Sequence, residues 1–276
     1  MTIRTKNIGP DAFCAQRLRR TILRMAYTGS TVHVPCAFSI VEILAVLYRS
    51  HVRYDRADPT AVDRDYLVLS KGHGVMAQYA CLYELGWLED ADLDRYCGDG
   101  TSLKGLSDAH IPGLEVTSGS LGHGLPIGVG LAAAALRKGS GQRCYVIAGD
   151  GEMNEGSMWE ALLFARQHAL SNLTLIVDAN GFQAMGRTKE ILELEPLVDK
   201  LRAFGCEARD VDGHDERLLD ATLTELAGHA SPGPRAVVAR TTKGRGVSFI
   251  EGNNAWHYTR LSEAAYRAAL AELEAA

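Results

Sequence analysis

Residues Gly149–Gly186 read GDGEMNEGSMWEALLFARQHALSNLTLIVDANGFQAMG, and this stretch decides the fold. The apolar run CYVIA (144–148) ends at Gly149-Asp150-Gly151. A second apolar run, LTLIVDA (173–179), ends at Asn180. One helix-length segment separates them, so the pattern is strand, helix, strand. Parallel strands need a crossover of this length, and open α/β sheets bind ligands outside the carboxyl ends of their strands. Asp150 and Asn180 thus offer two oxygen ligands at neighbouring strand ends. Mg²⁺ takes about six oxygens and usually draws only a few from protein, the rest coming from phosphate and water. The Asp150 carboxylate, the Asn180 amide oxygen and a backbone carbonyl just past it, with Phe182 the natural candidate, make half a shell. Gly149 and Gly151 allow a tight turn and close approach of an anion to the helix N-terminus that follows. A GDG alone is an ordinary turn. The paired strand ends and the downstream Asn-Gly make this one a candidate site for a divalent cation holding a diphosphate.

Outward from that stretch, strands fit 65–70, 143–148, 173–179, 206–212 and 235–241. Helices fit 11–28, 38–50, 75–87, 124–138, 156–169, 194–204, 214–228 and 261–275. The alternation predicts an α/β fold, a mostly parallel sheet with helices on both faces. The 276 residues suffice for one sizeable domain, 1–276, with no repeat, low-complexity tract or long linker. A hydrophobic content of 46% and a charged content of 23% are those of a soluble globular chain. The net charge of −5 gives no reason to expect nucleic acid or a membrane surface as partner. The N-terminal residues lack a signal-peptide core. The longest apolar stretch, 124–136, is too short to span a bilayer and reads as a core-packed helix. The six cysteines have neither metal nor redox spacing, so a reduced, cytoplasmic setting is expected.

The wording GDGEMNEG…WEA…NL…IVDANGFQ resembles the transketolase branch of the thiamine-diphosphate enzymes. The similarity continues through VEILAVLY (41–48), RDYLVLSKGH (64–73), TSGSLGHGL (117–125), EPLVDKLRAFG (195–205), VDGHD (211–215) and TTKGRGVSF…WH (241–257). It implies a thiamine-diphosphate-binding fold, with thiamine diphosphate and Mg²⁺ (or Ca²⁺ or Mn²⁺) as cofactors, and aldehyde or ketone transfer as the activity. It also implies that this chain is half an enzyme. In the family the cofactor lies between a diphosphate-binding and a pyrimidine-binding domain, and the glutamate that activates it is on the second, which nothing here resembles. The expectation is a separate C-terminal transketolase-like subunit, as in split bacterial transketolases, typically with two copies of each chain. Such a partner should leave a large apolar face.

The resemblance assigns roles residue by residue. Gly149, Asp150, Gly151, Glu152 and Asn180 match the diphosphate and metal site, and Gly119, Ser120 and Leu121 match the loop that lines the thiazolium ring. Lys243 could assist the phosphates as a cation. His33, His73 and His257 match histidines near the reaction centre, and Glu155 and Glu160 match glutamates near the subunit interface. For each there is a plainer reading: a structural histidine, a surface lysine, or acids favoured by a helix N-terminus.

Three departures bear on the substrate. Where the family has GHPG, this chain has VHVPC, keeping His33 but losing both glycines. Where the family has GHPD, it has Gly105-Leu106-Ser107-Asp108. The missing histidine binds the hydroxyls of the two-carbon ketol unit, which Leu106 cannot do. His123 stands where glutamine is usual. A site that loses a hydroxyl partner loses its preference for the hydroxyl. Leu106 therefore points to an acyl donor, a 2-keto acid such as pyruvate. The rival keeps ketol transfer from a ketose phosphate, with His123 or His110 replacing the lost donor. A non-catalytic, partner-binding homologue is the remaining alternative, and the retained Asp150, Asn180, His73 and His257 speak against it.

Overall fold

The computed structural model describes residues 12–29 and 32–275. Five strands, β1 (Tyr66–Leu69), β2 (Cys144–Gly149), β3 (Leu173–Ala179), β4 (Glu207–Asp212) and β5 (Arg235–Arg240), form one sheet in the order β1-β2-β3-β5-β4. All four pairings are parallel. In register, Gly149 lies beside Asp178 and Ala179 beside Arg240. The chain therefore leaves β2, β3 and β5 at one level, with Asp150, Asn180 and Thr241 next to one another.

The strand sequences are near-continuous apolar runs because both sheet faces are covered. Successive side chains point to opposite faces. Leu67, Leu69, Tyr145, Ile147, Ile176, Val237 and Ala239 enter one hydrophobic core. Val68, Val146, Ala148, Leu175, Val177, Ala236 and Val238 enter the other.

The expected strands agree with the observed ones to within a residue at each end, and the helix at Gly124–Lys138 matches its expected bounds. That helix is not packed in the core all round: Gly124, Leu125, Gly128, Val129, Ala132 and Ala135 are buried, while Ile127 and Leu136 are exposed. The expected helix 38–50 is instead broken. A short helix Val34–Phe38 ends at Ser39, a second runs Val41–Val46, and a wide π-type turn follows at Leu47–His51. The break lets the Ser39 hydroxyl turn inward to the carboxylate of Asp178. The first helix begins at Ala15, and the expected start at residue 11 lies outside the described residues. Short helices at Asp90–Asp94 and Thr188–Ile191 had no periodic signal long enough to read.

Candidate active site

The carboxyl ends of β1, β2, β3 and β5 converge on one site. Asp150 follows β2 directly and is buried. One of its carboxylate oxygens accepts from the Gly151 amide at 2.8 Å, and the other from Gly181 at 2.6 Å. Two backbone donors from two loops thus fix its orientation and tie the end of β2 to the end of β3. Burial, with the neighbouring Asp178 carboxylate second, pushes Asp150 up to about 7. An under-compensated buried carboxylate of this kind suits a cation. The Asn180 amide nitrogen donates to Asp178 at 2.8 Å, which sets the amide orientation, and its oxygen meets the Phe182 amide at 3.1 Å. Among the described residues no donor meets the Phe182 carbonyl. These three oxygens are the donor set read from the sequence. Among the described residues no group of three His, Cys, Asp or Glu side chains forms a metal shell, so an ion here would need ligand or water oxygens to complete it.

Beneath this corner lies a buried ionic cluster that the sequence reading missed. Asp178 is fully buried and accepts from the Lys71 ammonium, from Thr241, from Ser39 at 2.7 Å and from Asn180. Burial works against its ionisation, but Lys71, with the Thr241 and Ser39 hydroxyls, outweighs it and holds Asp178 below the usual carboxylate range. Lys71 answers in kind: burial opposes its charge, and Asp178 raises it. A buried ion pair survives only when its remaining hydrogen-bonding capacity is met, and here four elements meet it. Lys71 stands two residues before His73 at the end of β1, which was the available signal. Asp178 read only as the tail of an apolar strand.

Glu152 does not sit as a free cofactor contact. Its buried carboxylate accepts from the Ser70 hydroxyl, from the Gly122 amide at 2.9 Å and from the Gly149 amide at 3.3 Å. It clamps the ends of β1 and β2 to the 119–123 loop.

His33, His73 and His257, brought from three separate segments, form one cluster. Ring centroids are 5.1 Å apart for His33–His73, 5.2 Å for His33–His257 and 6.2 Å for His73–His257. Burial, then Lys243, lowers His33 and His257 to about 4. Burial, then Lys71, holds His73 well below its ordinary value. All three rings are neutral at pH 7. Lys243 is buried, not on the surface, and donates to Asn254 and to His257 Nδ1, each at 2.8 Å. It also lies 5.4 Å from the Phe182 ring centroid.

The 118–122 loop closes one side. A Cβ on Gly72 would come within 2.6 Å of the Ser118 carbonyl, so the loop presses on the turn that carries His73. Gly119 has φ +134°, and a Cβ there would meet Leu106 Cδ1 at 2.8 Å. Leu106 therefore leans on the loop next to His73 and is 44% exposed, with Leu121 37% exposed beyond it. Ser120 belongs to the same loop. His123 is exposed, its Nδ1 3.2 Å from the Leu121 carbonyl, and His110 points outward, paired with Asp108 at 2.7 Å. Glu155 occupies the N-cap position of the helix Gly156–Gln167 and Glu160 lies within it, both exposed. That helix packs on Gly124–Lys138, and together they expose Ile127, Leu163 and Phe164.

A second buried pair braces the frame. Arg19 forks onto Glu42 at 2.7 and 2.9 Å, and His214 Nδ1 meets the same carboxylate at 3.0 Å. His214 Nε2 accepts from the Thr242 amide at 2.7 Å, anchoring the loop that leads to Lys243.

Comparisons with known proteins agree with this geometry. The family model described as transketolase, thiamine diphosphate binding domain, matches residues 18–273. An apulose-4-phosphate transketolase subunit of Actinobacillus succinogenes is 42% identical over 246 residues, covering 88% of each chain. The 6-deoxy-6-sulfo-D-fructose transketolase subunit SqwG of a Clostridium species is 41% identical over 243 residues, again covering 88% of each. Transketolase from Leishmania mexicana superposes with a TM-score of 0.88 at 30% identity, over 97% of this chain and 42% of that one.

Proposed function

Because this chain belongs to the transketolase family as its thiamine diphosphate-binding domain, we propose that it is the diphosphate-holding subunit of a two-component transketolase-like transferase. It acts with a second subunit that brings the pyrimidine-binding domain and its catalytic glutamate, two copies of each forming the assembly. Support for the division comes from relatives that are themselves named as transketolase subunits and match over 88% of their length. The exposed Ile127, Leu163 and Phe164 supply apolar surface on the packed helix pair 124–138 and 156–167.

The observation that carries the reading is the convergence of Asp150, Asn180 and the free Phe182 carbonyl at adjacent strand ends, beside three neutral histidines. Asp150, Asn180 and Phe182 would hold Mg²⁺ against a diphosphate, and Lys243 would add a positive charge. When bound, thiamine diphosphate supplies the carbon that becomes nucleophilic. The chain's own residues do the rest. His33, His73 and His257, all neutral, give and accept hydrogen bonds without adding charge. Leu106 and Leu121 keep water from one side, and Glu152 holds the loop that carries Leu121 in register with the strand ends.

The two-carbon donor is, on this reading, a 2-keto acid such as pyruvate, whose acyl unit goes to an aldehyde or sugar acceptor. Leu106, exposed and apolar beside the His73 turn, suits a methyl group better than a hydroxyl. The second reading is ketol transfer from a ketose phosphate, which the names of the relatives favour. Among the contacts of the described residues, His110 meets Asp108 and His123 meets Leu121, and neither reaches the histidine cluster. The test is an assay of the two purified subunits with pyruvate and with xylulose 5-phosphate. Pyruvate consumption supports acyl transfer; turnover of the ketose with no pyruvate consumed overturns it.

A further inference from the structure

His257 has two neighbours at Nδ1: an ammonium, which can only donate, and a thiol, which can donate. The Lys243 ammonium lies 2.8 Å away, and the Cys36 sulfur 3.7 Å away. An ammonium has no acceptor capacity, and a neutral thiol facing a nitrogen lone pair acts as a weak donor. Burial keeps Cys36 in its thiol form against the pull of Lys71. Burial lowers Lys243 as well as His257, but an amine starts about four pH units more basic than an imidazole, so between the two the proton stays with the lysine. Nδ1 is then an acceptor from either side.

The backbone makes this geometry rigid. The Gly252 amide donates to the Lys243 carbonyl at 2.9 Å, closing the 243–252 loop on itself. The Gly244 amide donates to Pro35 at 3.1 Å, locking that loop to the short helix that carries Cys36. Lys243 Nζ is held a second time by Asn254 at 2.8 Å. Among the described residues nothing hydrogen-bonds His257 Nε2.

We propose that Lys243 and Cys36 are positioning residues that fix His257 as the Nε2–H tautomer, so that the ring meets its ligand as a hydrogen-bond donor. The partner for that donor is an oxygen acceptor, a carbonyl or an anionic oxygen, on the reacting group. That last clause rests on the functional reading above, whereas the tautomer itself rests only on the contacts around Nδ1. Cys36 directly follows the His33-Val34-Pro35 stretch, where the wording of this chain differs from GHPG.

The experiment is ¹⁵N-histidine NMR of the full chain at pH 7.5, with His257 assigned by its disappearance in His257→Asn. The expected result is an Nε2-protonated ring in about tenfold or greater excess over the Nδ1-protonated form, since a charged donor favours its acceptor by at least that factor. In the double variant Lys243→Met/Cys36→Ala the excess falls severalfold, and Lys243→Arg, which keeps a charged donor, retains it. Protonated Nδ1 in the wild type overturns the proposal, and so does a tautomer ratio unchanged in a folded double variant. If the double variant does not fold, the wild-type spectrum and Lys243→Arg still decide. The wild-type Nε2–H tautomer in a chain that transfers no carbon unit with any partner would sink the functional reading and leave this assignment standing.

Discussion

Replacing Glu152 with alanine separates a clamp from a cofactor contact. The wild-type carboxylate is buried and accepts from Ser70, Gly122 and Gly149. Alanine leaves two backbone amides and a hydroxyl without their acceptor. Each buried donor left unpaired costs about 1–3 kcal/mol. The vacated space can admit a water that takes one or two of them, so the expected net loss is about 2–4 kcal/mol. Glu152→Gln keeps one acceptor oxygen for Ser70 and Gly122 but turns an amide toward the Gly149 N–H, and should lose about 1–2 kcal/mol. The assay is urea unfolding of the chain without cofactor, reading the midpoint at constant m. A Glu152→Ala midpoint equivalent to less than about 0.5 kcal/mol of change, the range of ordinary surface substitutions, refutes the clamp. Unchanged stability together with lost cofactor binding would restore Glu152 as a direct contact.

Three further outcomes are expected. Glu42→Ala leaves Arg19 buried without its carboxylate and frees His214, which should cost about 3–5 kcal/mol in urea unfolding; a loss below about 1 kcal/mol contradicts the buried pair's role. His33 and His257 are held at about 4 against an ordinary 6.5, so the unfolded chain binds more protons between those values. Their contribution to stability is complete above pH 6.5 and is lost as pH falls through about 4. A folded His33→Asn/His257→Asn variant should therefore lose less stability than wild type between pH 7.5 and 4.5, and an equal loss would count against neutral imidazoles. Leu106→His should shift donor preference toward a ketose phosphate by about tenfold or more in the assembled enzyme; no shift removes Leu106 from the donor site.

Much of the sheet and half of the candidate site could be read from the chain because each rested on local pattern. Apolar runs ending in Asp150 and Asn180 mark strand ends whatever the rest of the fold does. The histidines were legible one by one, since His73 and His257 follow recognisable strand-end or loop wording. Their mutual approach was not, because it depends on three segments that only the sheet brings together. Asp178 shows the limit most clearly. In LTLIVDA it has the look of a strand terminus turned to solvent, yet it is fully buried, since Lys71, Thr241 and Ser39 reach it from β1, β5 and the broken helix. Glu42 was illegible for the same reason: nothing in VEILAVLY marks it as buried, and Arg19 and His214 reach it from elsewhere in the chain. A buried charge is invisible in sequence until its partner is placed. Glu152 differs: adjacency to Asp150 put it in the cofactor's neighbourhood, and its acceptance from Ser70, Gly122 and Gly149 could not be read from the chain.

The central claim is that the ends of β2 and β3 hold a diphosphate through a divalent cation. Mn²⁺ binding followed by electron paramagnetic resonance, with and without thiamine diphosphate, tests it most directly in the wild-type chain and in Asp150→Ala/Asn180→Ala. The account predicts tight Mn²⁺ uptake only when the diphosphate is present, and its loss by about a hundredfold or more in the double variant, two protein ligands being removed at once. Diphosphate-dependent Mn²⁺ binding that persists unchanged without Asp150 and Asn180 would contradict it.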